Sequence, residues 1–160
     1  MPESGTPKHL ENLQKAVHDM RIADHMIYVT YPIIKDKRLL LKTLDQIYSS
    51  ITLTINAILQ YDYINKRVTL SKNAQENFDT FVTKCANRYN LTQEEIADIK
   101  ELLYLTESHR KSPLEFSRKD RIVIMSENLK TAIIDSEKLK KHLNLAKNLI
   151  NKAKFGMSLH

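Results

Sequence analysis

The stretch from Asp36 to Tyr63, DKRLLLKTLDQIYSSITLTINAILQYDY, decides the fold. Leu40, Leu44, Ile47, Ile51, Ile55, Ile58 and Asp62 follow one another at intervals of three and four residues, which is one face at helical period. Leu41, Tyr48 and Leu59 widen that face on one side, and Thr43, Thr54 and Tyr61 on the other. Lys42, Asp45, Ser49, Asn56 and Gln60 mark the opposite, solvent side. Within the run, Ile51-Thr52-Leu53-Thr54-Ile55 alternates and is β-branched, as a strand would be. The same isoleucines stay in helical register with positions on both sides, so the helix reading prevails. At about 1.5 Å per residue such a helix is about 42 Å long, enough to be the spine of a small domain.

Upstream, Leu10, Leu13, Val17, Met20, Ile27 and Tyr31 share a face, which predicts a first helix over about Lys8 to Tyr31. Pro32 should push Tyr31 out of the α region and end that helix. The short link to Asp36, a plausible N-cap, favours an antiparallel hairpin with the spine.

Downstream, Ser71 is expected to cap a third helix to about Arg88, with Phe78, Phe81, Val82, Cys85 and Tyr89 inward. Thr92-Gln93-Glu94-Glu95 has the form of a capping box and opens a fourth helix to about His109. Ser112-Pro113-Leu114-Glu115 repeats that form and predicts one or two more turns. Ile122-Val123-Ile124-Met125 and Thr131-Ala132-Ile133-Ile134 are short β-prone runs that predict a small hairpin. Asp135 or Ser136 caps a last helix to about Lys154, with a buried seam of Leu139, Leu143, Ala146, Ile150 and Ala153. A stripe of Lys140, Asn144, Lys147, Asn151 and Lys154 is expected to face water.

The expectation is an all-α antiparallel bundle of about four or five main helices, with a small β-hairpin before the last one. Residues 1–7 and 156–160 read as flexible tails around a single domain, 8–155. Two glycines and four prolines in 160 residues agree with a chain of few tight loops. No apolar run approaches the roughly 20 residues of a membrane span, and no signal-peptide pattern opens the chain, so no membrane partner is expected. Cys85 is the only cysteine, which rules out an intrachain disulfide and suggests a cytoplasmic setting, with the thiol as a packing group.

The formal charge is +6, and it is unevenly placed. Residues 1–107 hold 13 basic and 14 acidic side chains; residues 108–160 hold 12 and 5. Such asymmetry points to a polyanionic partner, against the plain alternative of lysines that serve solubility. The cations that would meet it are Arg110, Lys111, Arg118, Lys119 and Arg121 in the connector after the fourth helix, and Lys140, Lys147 and Lys154 on the last helix.

A second constellation lies on the first helix: Arg21, Asp24, His25 and Tyr28. At about 100° per residue Asp24 falls inside the apolar face, where a carboxylate is costly unless paired. It is therefore expected to be mostly buried, with Asp24→Ala costing on the order of 1–3 kcal/mol. The plain reading is a satisfied structural carboxylate. The sharper one is a polar pocket in which His25 handles a proton and Arg21 a phosphate. Glycine-rich phosphate loops, zinc-spaced Cys/His sets and nucleophile elbows are missing, so no catalytic residue, metal site or cofactor is assigned.

The layout of a long helical hairpin, further helices packed on it and a polar loop before the final helix resembles the HEPN-like bundles of prokaryotic defence, toxin–antitoxin and RNA-processing systems. The resemblance covers most of the chain as topology. Ribonuclease members of that family carry an arginine followed a few residues later by a histidine, near the last helices. Here His109 precedes Arg110, and Arg21 and His25 stand on the first helix, so that active site maps onto no residue of this chain. The resemblance implies a non-nucleolytic helper or binding domain. The expected function is a non-catalytic basic module contacting RNA or a ribonucleoprotein partner. The alternatives are an enzyme or enzyme accessory using the set on the first helix, and a domain that pairs with a second copy or another protein through its tyrosine-rich edge of Tyr28, Tyr61 and Tyr63.

Overall fold

A computed structural model describes residues 5–112, 114–118, 120–125 and 130–159; of Leu114 and Phe116 it describes the backbone. The chain is mostly helical, with a small three-stranded antiparallel sheet. Helix α1 spans Lys8–His25, a π-helical turn covers Met26–Thr30, and α2 is the single turn Tyr31–Ile34. The spine is α3, Arg38–Ile64. Helix α4, Ala74–Thr80, runs into a second π turn, Phe81–Cys85. Helix α5, Gln93–Lys111, leads to strands β1 (Leu114–Arg118), β2 (Arg121–Met125) and β3 (Thr131–Ile134), and α6, Ser136–Gly156, closes the fold.

Every position in the three-four run of the spine is buried, from Leu40 through Asp62. Helix α1 lies antiparallel on α3. The Asn12 amide donates to Gln60, the Ser50 hydroxyl to the Ala16 carbonyl at 2.8 Å and the Ser49 hydroxyl to the Asp19 carboxylate at 2.6 Å. Ala16 and Ala23, both fully buried, let the two helices approach closely. Helix α6 buries Leu139, Leu143, Ala146, Ile150 and Ala153 as expected, and also Leu145 and Leu149.

Pro32 does not end the first helix. Tyr31 keeps helical angles (φ −61°, ψ −44°), and its N–H reaches back five residues to Met26 O. The widened turn absorbs the ring and the missing N–H. The helix ends one turn later, at Lys35 in the left-handed region (φ 57°). Asn73, rather than Ser71, caps the third helix, accepting from Glu76 N–H. The Thr92/Glu95 capping box forms in both directions, and Asp135 caps α6 by accepting from Lys138 N–H at 2.8 Å.

The expected hairpin is present as β2 and β3, with Ile122 opposite Ile134 and Ile124 opposite Ala132. The sheet gains an unexpected strand, because Leu114–Arg118 is β1 rather than a helical turn. The groups that suggested a capping box are used elsewhere: the Ser112 hydroxyl donates to Met125 O at 3.0 Å, and Glu115 lies 2.7 Å from His109 Nδ1. Beyond α6 the chain stays packed, with Met157 buried and Leu159 N–H bonded to Lys154 O at 2.7 Å. No helix among the described residues is long and apolar enough to cross a membrane.

Candidate polyanion-binding face

The seven-residue spacing of Lys140, Lys147 and Lys154 is two helical turns, so all three stand on one side of α6. That side borders the buried seam and meets α1, which runs antiparallel to α6. Lys147 Nζ is 2.7 Å from Asp24 Oδ1. Lys140 and Lys147 hold their ammonium groups 5.1 and 5.9 Å from the centre of the Tyr28 ring, a cation–π arrangement. Lys154 and Arg21 share a hollow of about 410 Å³ with Gln14, Val17 and Leu159. Arg21, Asp24 and Tyr28 thus share one surface with the lysines of the last helix. The three lysines of the stripe are half-buried on this side, whereas Asn144 and Asn151 are exposed as expected.

Asp24 differs from expectation. It is bonded to another helix, but its side chain is 42% exposed, so it is a rim group and not a core carboxylate. Rim ion pairs contribute little to stability. His25 is exposed and makes no hydrogen bond or ion pair with another described residue, so nothing there orients its ring.

Of the connector cations, Arg110 is engaged by the spine. Arg110 lays its guanidinium 4.6 Å from the Tyr48 ring centre and 3.9 Å from Asp45, both on α3. Lys111, the last residue of α5, is exposed. Arg118 and Arg121 are exposed cross-strand partners at the β1–β2 turn, where like charges sit opposite each other. Lys119 lies outside the described residues. That turn lies near the end of the first helix: burial, then the carboxylates of Asp120 and Asp135, raise the Tyr31 hydroxyl above its ordinary range.

The carboxylate that does enter the core is Asp62, the charged member of the spine's buried face, which also holds Thr43, Ser50 and Thr54. Its Oδ1 takes Arg88, Arg67 at 3.3 Å and the Tyr89 hydroxyl at 3.1 Å. Cys85 lies beside it, and burial, reinforced by the Asp62 carboxylate, pushes the thiol up to about 12, which keeps it protonated and inert. The three-four run places Asp62 inward, but its partners lie at 67, 88 and 89, and no local pattern announces them. A scan against protein-family models, a search of curated proteins and a search of solved structures give no match to this chain.

Proposed function

We propose that this protein is a non-catalytic binding module that contacts RNA, or a ribonucleoprotein partner, through the face between α1 and α6. One observation carries the reading: Lys140, Lys147 and Lys154 share a seam with Arg21 and the half-exposed ring of Tyr28. From Lys140 to Lys154 the stripe extends about 21 Å along the helix, long enough to follow several phosphates. Asp24 offsets Lys147 and Glu137, 3.4 Å away, offsets Lys140 at the exposed rim, which leaves Arg21 and Lys154 as the surplus. Tyr28 adds a ring on which an unpaired base can stack. This is the role that a HEPN-like bundle without the Arg–His pair would keep. The test is fluorescence anisotropy with a labelled single-stranded RNA at low salt. Arg21→Gln with Lys140→Gln and Lys154→Gln should weaken binding about tenfold or more, because each phosphate contact contributes electrostatically. Unchanged affinity in that triple variant would remove the face from the reading.

A second reading, a protein partner or second copy, is favoured by the apex of the first hairpin. Ile33 and Ile34 are 77% and 60% exposed there, beside exposed Tyr28 and Val29. Clustered exposed apolar residues mark interaction sites more often than chance. Ile33→Ser with Ile34→Ser should abolish any concentration-dependent association seen by sedimentation; association that survives both substitutions would exclude the apex.

A further inference from the structure

The turn that ends α3 folds back on itself. Lys66 takes a left-handed conformation (φ 60°), and Arg67 N–H returns to Asp62 O at 2.9 Å. This sets Arg67 beside the last turn of α3, with its guanidinium 5.9 Å from the Tyr61 ring centre. The second π turn brings Lys84 to the same place. Lys66, Arg67 and Lys84 line one open hollow of about 530 Å³ with Tyr63, Ile64 and Thr69, and no carboxylate lines it.

The charge in this hollow is only partly neutralised by its surroundings. Asp62 is fully buried, and the oxygen that faces Arg67 already holds Arg88 and the Tyr89 hydroxyl. Two guanidinium groups therefore share one carboxylate charge, and Arg67, the more exposed at 42% against 32%, is the surplus one. Neither Lys66 nor Lys84 makes an ion pair with a described residue. A guanidinium fork held from behind by a buried acid, flanked by two compact ammonium charges and a threonine hydroxyl, suits a tetrahedral dianion. Tyr63 and Ile64 offer an exposed aromatic and apolar wall beside it.

We propose that this hollow binds a phosphomonoester, with Arg67, Lys66 and Lys84 on the phosphate and Tyr63 against a flat group attached to it. Such a group is carried by a free mononucleotide and by the 5′ end of a strand. The site shares no residue with the α1–α6 face and stands or falls apart from it.

The experiment is an amide NMR titration of the full chain with AMP, and with a trinucleotide bearing either a 5′-phosphate or a 5′-hydroxyl. At residues 63–69 and 84, saturable shifts are expected with AMP and the 5′-phosphate, and not with the 5′-hydroxyl. Binding of AMP alone would assign the site to free mononucleotides; tighter binding of the phosphorylated trinucleotide would assign it to strand ends. Arg67→Gln should weaken binding about tenfold, since one charge-assisted contact is commonly of that size. Arg88 still covers Asp62 in that variant, so it should fold. Lys84→Gln, at an exposed position, gives an independent reduction, and Tyr63→Ala should weaken AMP but not inorganic phosphate. No saturable shift with AMP up to about 10 mM, a range that reaches weak millimolar sites, would overturn the proposal. So would sulfate binding as tightly as AMP, or Arg67→Gln and Lys84→Gln both binding like the wild type.

Discussion

Replacing Asp62 by alanine should be the most damaging single change at a polar side chain of the described residues. The side chain is 1% exposed and accepts from three donors on one oxygen. Removing it leaves the Tyr89 O–H without its acceptor in the core, though the hydroxyl still accepts from Arg88 at 2.6 Å; a buried group that loses a partner costs about 1–3 kcal/mol. It also strands Arg88. A wholly buried ion left unpaired costs about 3–5 kcal/mol, but Arg88 is 32% exposed and Arg67 42%, so water takes up much of that charge. The discounted total is about 2–4 kcal/mol, which for a chain of this size lowers the midpoint by roughly 5–15 °C. Asp24→Ala is the internal control: a rim ion pair contributes less than about 1 kcal/mol. Thermal unfolding followed by circular dichroism, checked by urea titration, measures both. A midpoint for Asp62→Ala within about 2 °C of wild type, or equal shifts for the two substitutions, would refute the assignment of Asp62 as the core clamp.

Two further outcomes follow from other buried contacts. His142 is 1% exposed, neither ring nitrogen is hydrogen-bonded to a described residue, and Glu101 is 3.8 Å from Nε2. Burial holds its pKa below the ordinary 6.5, against the pull of Glu101 and with help from Lys138 and Lys141. The unfolded chain therefore takes up the proton first. Stability should be full above about pH 6.5 and decline as pH falls from there toward the folded value; His142→Leu should remove that segment from a pH series of urea midpoints. Gly156 lies against the Tyr89 ring, where an added Cβ would collide with it. Gly156→Ala should cost about 1–3 kcal/mol through overpacking despite alanine's better helix propensity, and a stabilised variant in thermal unfolding would contradict that geometry.

How much was legible beforehand depends on how local the signal is. The spine was readable because its period repeats over many turns and each buried position repeats the message. The capping box at Thr92 was readable because both of its bonds close within four residues. Strand β1 was not, since the Ser112–Glu115 pattern mimics a cap and only the distant Met125 carbonyl shows where the serine hydroxyl goes. Pro32 misled for a similar reason: a π turn carries the chain past it, and nothing in the local sequence marks that turn. The lysine stripe of α6 was legible as a stripe. That it meets α1, joining Arg21 and Tyr28, depends on how two distant helices rotate against each other. The charge imbalance marked the last third of the chain, whereas the hollow around Arg67 lies in the balanced part.

That the α1–α6 face takes a polyanion can be read out by filter binding of single-stranded RNA across a salt series. Three to five phosphate contacts predict a log–log slope of about −2 to −4, and loss of Arg21, Lys140 and Lys154 should flatten it by about 2. A folded wild-type protein that retains no RNA at low salt, or a slope unaltered in the α1–α6 variant, would contradict the claim.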